Sequence, residues 1–454
     1  MEGPELPAVP NHGRSSSMDV RRRTFAWPLV PLSLAAAAAA QEPLGAAGDA
    51  PAGLLGPVLG DLRPDGAKVW VRLGEGRTAR RTLFEDGAPR SRGPLSPRPD
   101  SDGTAVLELE RLRPGVDYRV LLEVEGQPDL EVTFATPPPH AEVTAARVAF
   151  GSCASHDRFE SQPIWTAMAG AAPDALVLLG DTPYIDSTEL ARQRRRYREF
   201  WSIPELRPLA ASVPVYATWD DHDFATNDQV GAQPGRERSR RAFIEYHPQP
   251  SFGDGERGIY TSFRRGPVEV FLVDTRWFGD EEAFGAPGSG QTSLLGAVQR
   301  ERLIAAVSAS DAAVKVLACG MVWNGAVRPG KRDCWWTWRH ERDAIFAALG
   351  AAKVRGVVLV GGDVHRPRVI RHGDAAEHLG YTPIEFVSSP LANHAIASAA
   401  APHPGLVWDA SADSVALVLE VEVKDGAPEV VGRMIGPKGE VLRTHVVDPE
   451  DLGF

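Results

Sequence analysis

Five apolar runs between residues 145 and 365 each end in a short polar cluster. The clusters read GSC at 151–153, GDTPY at 180–184, WDDHD at 219–223, DTRW at 274–277 and GGDVH at 361–365. Apolar runs of this kind, rich in Val and Leu, are typical of strands that are buried on both faces of a sheet. Helical stretches lie between the runs, so we predict an α/β fold whose strand ends carry the chemistry.

The region before these runs has a different pattern. Short alternating runs, AKVWVRL, TAVLELERL and DYRVLLEVEG, are separated by Pro and Gly, which predicts an antiparallel β-sandwich over residues 56–139. The phrase LRPGVDYRVLLEV resembles a strand pair of fibronectin- or Ig-like domains, with Tyr118 near the start of a late strand. TPPPH at 136–140 predicts a stiff boundary. A second domain is predicted over 145–448, with two or three strands between Ser414 and Val447 completing its sheet.

The N-terminal segment has the order of an export signal. Residues 1–41 contain RRRTFAWPLVPLSLAAAAAA, a basic stretch followed by an apolar stretch and small residues, with cleavage predicted near Ala40. The apolar stretch is too short for a membrane span. The run from Arg22 to Phe25 matches the core of a twin-arginine signal, so we expect twin-arginine export and a periplasmic or secreted protein. An ordinary secretory signal is the alternative, and residues 42–55 are predicted to form a linker.

Net charge and cysteine content exclude some classes of protein. The formal net charge of -11 argues against a stable nucleic-acid partner, because such proteins present basic surface to phosphates. Three cysteines are too few for a disulfide framework or a zinc ribbon. If the chain is exported, a disulfide between Cys319 and Cys334 is an alternative to free thiols.

Each polar cluster is weak evidence alone, since a Gly-Asp turn is often only a local cap and a free Cys after a strand is usually core. Together they would bring Asp181, Asp221, Asp223 and Asp363 into one cavity. Two carboxylates about 5 Å apart repel by roughly 3 kcal/mol at an effective dielectric near 20, so a cation or a shared proton is needed. We favour metal. Thiolate, phenolate and imidazole suit ferric iron, whereas carboxylates suit calcium, magnesium or manganese.

The same residues resemble a known family, the PhoD-like alkaline phosphatases and phosphodiesterases of the calcineurin-like metallophosphoesterases. The resemblance rests on the set GSC, LGDTPY, PVYATWDDHDFATND, GIYTSFRRGPVEVFLVDTRWF, GMVWN, HERDAIFAAL and GGDVH. It implies a layered β-sandwich flanked by helices and preceded by a small all-β domain. It also implies hydrolysis of phosphate mono- or diesters, of small molecules or polymers, by water that metal ions activate.

The resemblance implies a role for each matching residue. Ferric iron would be held by Cys153, Asp181, Tyr184 and His365. Asp181 would bridge to calcium or another divalent ion, held also by Asp221 and Asp363. His222 would contact phosphate or protonate the leaving oxygen, and Arg276 would meet substrate phosphate. Support for the second ion is expected from Asn227 and Asp228. Asp220 is expected to turn the loop or to bond backbone, with a supporting site role as the alternative.

Other interpretations of these residues stay open. Cys153 and Tyr184 could be core residues without a metal, and His222 and His365 could be buried histidines held by hydrogen bonds. Arg276 could pair with Asp274. The basic helix RQRRRYREF is predicted to be a solvated face balanced by Glu189 and Glu199. The tryptophans of WWTW at 335–338 suit either the rim of the site or the core. For the whole chain, the alternatives are an exported binding or adhesion protein with a structural metal, and an enzyme acting on another ester.

Overall fold

The computed structural model describes residues 53–327 and 330–454. The predicted signal segment 1–41 and most of the predicted linker 42–55 lie outside the described residues. Within the described ranges, no helix is long and apolar enough to cross a membrane.

Residues 55–135 form seven antiparallel strands in two sheets. The first sheet has the order β1-β2-β5 and the second has the order β4-β3-β6-β7. The alternating runs of the sequence form β2, β5 and β6, and in β6 every second side chain is buried. The Tyr118 hydroxyl accepts a hydrogen bond from the Arg113 backbone N–H at 2.8 Å. The strand bounds are β1 Leu55–Arg63, β2 Gly66–Arg72, β3 Ala79–Glu85, β4 Ala88–Leu95, β5 Thr104–Glu110, β6 Asp117–Val124 and β7 Leu130–Ala135.

The rest of the described chain is built on two larger mixed sheets. One has the order β10-β9-β8-β18-β19-β20, and the other has the order β11-β12-β13-β14-β16-β15-β17. Their strands are β8 Ala145–Gly151, β9 Ala175–Leu179, β10 Val215–Thr218, β11 Thr261–Arg265, β12 Val268–Leu272, β13 Val314–Ala318, β14 Val357–Gly361, β15 Arg368–Arg371, β16 Ile384–Val387, β17 Leu406–Asp409, β18 Ala416–Lys424, β19 Ala427–Ile435 and β20 Val441–Val447. The predicted C-terminal strands are β18, β19 and β20. β18 pairs with β8 and so completes the six-stranded sheet.

In the part of the chain that the structure describes, eight α-helices accompany the strands, and their bounds are α1 Ile164–Gly170, α2 Leu190–Trp201, α3 Leu206–Ser212, α4 Asp221–Phe224, α5 Arg236–Tyr246, α6 Gly296–Ala309, α7 Arg339–Ala351 and α8 Ala376–Leu379. Alternate residues of the strands face two different cores. Val148 and Val177 of the six-stranded sheet share one core with Val316 of the seven-stranded sheet, whereas Leu178 packs in a separate cluster with residues of α1 to α3. The two sheets therefore face each other with helices outside, because side chains alternate between the faces of a strand.

All five polar clusters follow the carboxyl ends of strands, as the sequence predicts. β8, β9 and β10 are mutually parallel, and so are β12, β13, β14 and β16. The clusters follow β8, β9, β10, β12 and β14. Parallel strands put these ends at one edge of their sheet, which is where ligands bind in open α/β folds.

The N-terminal sheets share a core with the second region. The Trp70 indole N–H donates to the Glu245 carbonyl at 2.8 Å, and its ring lies 5.5 Å from that of Tyr246. The Pro-rich segment 136–140 thus does not hold the two regions apart.

The open questions on cysteine and tryptophan have structural answers. Cys153, Cys319 and Cys334 are all buried and free, so no Cys319–Cys334 disulfide is present. Trp335 stacks on Trp323 in the core with ring centroids 4.5 Å apart. Trp338 is also buried, whereas Trp336 is exposed.

Candidate active site

Several strand-end residues have left-handed backbone conformations. The φ angles are 61° at Cys153, 52° at Asp181, 62° at Asp363 and 50° at His365. Such angles cost a non-Gly residue about 1–3 kcal/mol and collect at functional sites, where the surrounding fold enforces them. The turns that follow β8, β9 and β14 therefore hold these side chains at an energetic cost.

The first donor group contains Cys153, Asp181 and His365. Their ligand atoms lie within 4.8 Å of one another, all buried. Tyr184 joins them, because its hydroxyl lies 2.7 Å from His365 Nε2. Burial raises the pKa of the Cys153 thiol and of the Tyr184 hydroxyl well above their ordinary values, and the nearby Asp181 carboxylate adds to both shifts. A metal ion binding here must displace those protons.

His365 is oriented as a metal-binding imidazole. Its Nδ1 lies 2.9 Å from the His394 carbonyl, which can only accept a hydrogen bond, so Nδ1 carries the proton and Nε2 presents its lone pair to the first group. Burial lowers the pKa of His365 to about 4, which keeps the ring neutral. Neutral imidazole is the form that binds a metal.

The second donor group consists of carboxylates. Ligand atoms of Asp181, Asp220, Asp221 and Asp363 lie within 4.8 Å of one another, and Asp221 forms a further group with Asp228 and Asp333. Burial raises the pKa of Asp363 to about 6 and that of Asp181 well above its ordinary value. Burial also acts on Asp221, but the charges of Arg276, His222 and Lys331 outweigh it and lower the pKa of that carboxyl. Asp181 belongs to both groups.

Arg276 lies inside the carboxylate group. Its side chain is fully buried, with Nη1 and Nη2 on Asp333 at 2.8 and 2.9 Å and Nε on Asp220 at 2.6 Å. The expected contact with substrate phosphate is therefore wrong, because every guanidinium nitrogen already serves a buried carboxylate. The alternative pairing with Asp274 is also not formed by the guanidinium, since Asp274 accepts the Arg276 backbone N–H at 2.9 Å.

Lys331 is a site residue that the sequence did not suggest. Its ammonium lies 2.9 Å from Asp228 and 2.9 Å from Asp363, and 3.5 Å from Asp333. Both Lys331 and Asp333 come from a loop that follows no strand directly. Their only sequence signal is a charged KRD triplet at 331–333, which also suits a solvated loop.

Asp223 organises the backbone around the centre. Its carboxylate accepts the backbone N–H groups of Asp181 at 2.5 Å, Thr182 at 3.1 Å and Asp220 at 3.0 Å. It thereby ties the turn after β9 to the start of α4. The spacing of Asp220 and Asp223 is that of a capping box, which was the available sequence signal.

His222 has a carboxylate partner across the loop. Nδ1 lies 2.5 Å from Asp186 Oδ1, and the His222 ring lies 4.5 Å from the ring of Tyr184. Burial lowers the pKa of His222, but the carboxylates of Asp181, Asp186 and Asp221 outweigh it and raise the value to about 10. A protonated imidazole is thus favoured beside the donor groups.

Asp228 contacts the second group, and Asn227 lines the cleft beside it. The Asp228 backbone N–H donates to Asp221 Oδ2 at 2.6 Å, which orients that carboxylate. Asn227 lines a cleft of about 390 Å³ whose walls also include Asp181, Tyr184, His222, Lys331, Asp363 and His365. The cleft gives solvent and small ligands access to both donor groups.

Comparison with known proteins identifies related chains. A family model described as PhoD-like phosphatase matches residues 148–419. Alkaline phosphatase D of Bacillus subtilis (strain 168) is 24% identical over 379 residues, which cover 68% of this chain and 64% of that relative's length. A solved structure titled Structure of PhoD aligns with a TM-score of 0.69 and 18% identity, covering 90% of this chain and 94% of that one.

These matches bear on the fold and on the family. At 18% identity, the structural match shows that the chain shares the mixed, sheet-rich α/β fold of that protein. The matched residues 148–419 are more than half of the chain and include both donor groups and the cleft residues named above. The chain belongs to the PhoD-like phosphatase family, a family of phosphoric ester hydrolases.

Proposed function

We propose that this chain is a metal-dependent phosphoesterase that hydrolyses phosphate mono- or diesters. The observation that carries the proposal is the convergence of Cys153, Asp181, Tyr184 and His365 with a buried carboxylate group on the wall of one open cleft. Membership of a phosphatase family supports the same reaction. A purely structural metal is normally enclosed by its ligands, whereas these donors are reached from a cleft, which disfavours the binding-protein alternative.

The donor sets suit two different ions. Thiol, phenol and imidazole in the first group fit ferric iron, and the carboxylates of the second group fit calcium or another divalent ion. Asp181 contributes to both groups and is the candidate bridge. When bound, such ions lower the pKa of a coordinated water and stabilise charge on phosphoryl oxygens.

His222 is the proposed proton donor to the leaving oxygen. Asp186 accepts the Nδ1 proton at 2.5 Å and so fixes the ring with Nε2 as the group that remains for substrate. The backbone N–H groups of Ile185 and Asp186 also donate to the His222 carbonyl at 3.0 Å, which ties the two loops together. A positioned general acid of this kind contributes about 10²–10⁴-fold to rate.

Arg276 has a supporting role in this scheme. Its buried guanidinium pairs with Asp220, a member of the second donor group, and with Asp333, and it does not line the cleft. Lys331, by contrast, lines the cleft and places a positive charge next to Asp363. The proposed export through the twin-arginine machinery rests on residues 1–41 alone.

Metal analysis and two chromogenic esters test the proposal. We expect purified wild type to contain iron and a divalent ion and to cleave p-nitrophenyl phosphate, bis-p-nitrophenyl phosphate or both. Asp181→Asn should lose metal and at least about 100-fold in rate, because it removes the bridge between the groups. Asp451→Asn, a buried carboxylate outside the cleft, is the matched control and should keep both. A wild type without bound metal that cleaves neither ester would refute the proposal.

A further inference from the structure

Two arginines at the cleft donate hydrogen bonds to neutral acceptors. Arg158 and Arg192 are exposed and both line the cleft. Arg158 Nη1 donates to the Asn393 side-chain oxygen at 2.8 Å, and Arg192 Nε donates to the Ile185 carbonyl at 2.7 Å. Both acceptors are neutral, so they orient the guanidiniums without cancelling their charge.

The comparison within α2 shows that Arg192 is exceptional. The other four arginines of this helix each form an ion pair with a carboxylate, namely Arg194 with Glu245, Arg195 with Glu199, Arg196 with Asp157 and Arg198 with Asp102. Within the described residues, no carboxylate lies within ion-pair distance of Arg192 or of Arg158. The predicted balance of this helix by Glu189 is also corrected, because Glu189 pairs with Arg238 of α5.

Three of the four acidic residues that line the same cleft are engaged by a basic side chain, and the fourth, Asp181, belongs to both donor groups. Asp157 accepts a hydrogen bond from Arg196 at 2.8 Å, Asp186 pairs with His222 at 2.5 Å, and Asp363 pairs with Lys331 at 2.9 Å. Two oriented, unpaired guanidiniums in a concave site are suited to bind an anion.

Both anchoring points are adjacent to the parts that hold the centre. Ile185, which fixes Arg192, directly follows Tyr184 of the first donor group. Asn393, which fixes Arg158, directly precedes His394, whose carbonyl orients His365. Each guanidinium is thus anchored to a residue whose chain neighbour belongs to the first donor group or orients one of its members.

We propose that Arg158 and Arg192 form an anion subsite, so that the preferred substrates are phosphate esters whose alcohol part carries a second phosphate group. This inference rests on the proposed phosphoesterase function. The scissile phosphate lies against the donor groups, and the second phosphate meets the two guanidiniums. An arginine of this kind distinguishes substrates by charge and leaves the chemistry at the scissile bond unchanged.

A matched pair of ligands tests the subsite. Propyl phosphate and 1,3-propanediol bisphosphate differ only by the second phosphate, and each is measured as a competitive inhibitor of p-nitrophenyl ester hydrolysis. We expect the bisphosphate to bind wild type at least about tenfold more tightly than propyl phosphate. In Arg158→Gln and Arg192→Gln this ratio should fall several-fold, and in the double variant it should approach one. High salt should also reduce it.

Arg195→Gln is the control, because Arg195 belongs to the same helix but pairs with Glu199 and does not line the cleft. It should keep the wild-type ratio. A ratio near one in wild type, or a ratio that survives in the double variant, would overturn the subsite while leaving the phosphoesterase proposal intact. If wild type cleaves neither ester, isothermal titration of the same two ligands measures the ratio directly, so the two proposals fail separately.

Discussion

Cys153, Tyr184 and His365 form one side of the candidate centre, and we call them the thiol half. Asp220, Asp221, Asp228, Asp333 and Asp363 form the other side, which we call the carboxylate half. In the thiol half, Cys153 Sγ accepts a hydrogen bond from the Ser389 hydroxyl at 3.2 Å and lies 3.6 Å from Asp181 Oδ2, and His365 is held by a backbone carbonyl. The carboxylate half contains two cations of the chain itself, Arg276 and Lys331.

This difference shows how the fold tolerates so many buried charges. In the carboxylate half, Arg276 and Lys331 lie among the acids and offset part of their charge, although burial still raises the pKa of Asp220 and of Asp363. In the thiol half, burial raises the pKa of both Cys153 and Tyr184, so the groups are neutral until an ion displaces their protons. Damage to the carboxylate half should therefore affect folding first, and damage to the thiol half should affect ion content first.

Removal of Arg276 should have the largest effect and would break the carboxylate half. Arg276→Met leaves Asp220 buried without its Arg276 partner and Asp333 with only the Lys331 ammonium, 3.5 Å away, and loss of one partner of a buried ion pair costs about 3–5 kcal/mol. We expect the free energy of unfolding, measured by urea denaturation of the whole chain, to fall by that amount. Arg276→Lys retains the positive charge but cannot form two parallel hydrogen bonds to one carboxylate, so its loss of stability should lie between those of wild type and Arg276→Met. A change below about 1 kcal/mol for Arg276→Met would contradict the comparison.

Substitution of Cys153 should separate ion content from stability. Cys153→Ser removes the thiolate that favours iron, so we expect iron to be lost and activity to fall at least about 100-fold. The free energy of unfolding should change by about 1 kcal/mol or less, because Ser is close in size. Cys334→Ser, a buried thiol outside both halves, is the control and should keep its iron. Full iron content in Cys153→Ser would show that the thiol is a buried core group and not an iron ligand.

Asp186→Asn should have a moderate effect, confined to turnover. Asp186 holds His222 by a hydrogen bond at 2.5 Å and does not belong to either half. We expect kcat to fall about tenfold with little change in metal content, because only the orientation and protonation of the imidazole are altered. If the effect passes through His222, Asp186→Asn should cost much less in a His222→Asn background than in wild type. Additive losses in this double-mutant cycle would count against the dyad.

The two halves also differ in how far the sequence predicts them. Cys153, Asp181, Asp363 and His365 follow apolar strands, and the carboxyl ends of parallel strands meet at one edge, so their convergence is predictable from pattern. Arg276 follows a strand as well, but its direction depends on Asp220 and Asp333, 56 and 57 residues distant along the chain. The hydrophobic pattern of a sequence predicts where a strand ends. It does not predict which buried carboxylate a long side chain contacts.

Loop residues mark the other limit of prediction. Lys331 and Asp333 belong to a loop with no periodic pattern, so nothing local distinguishes them from solvated charges. WWTW shows the same limit for apolar residues, because Trp335 and Trp338 are buried while Trp336, between them, is 39% exposed. In both cases tertiary contacts, which local sequence does not encode, decide the outcome.

Lys331→Gln should have the smallest effect and would sharpen the comparison most. Its ammonium shares Asp363 and Asp228 with any divalent ion of the carboxylate half, so the two cations repel. We expect removal of this charge to tighten calcium binding about three- to tenfold, since charges about 4 Å apart interact by about 1 kcal/mol or more. Titration calorimetry with calcium on metal-stripped protein measures the change, and Lys331→Arg should leave affinity near that of wild type. Weaker calcium binding in Lys331→Gln would mean that the ammonium organises the carboxylates and does not compete for them.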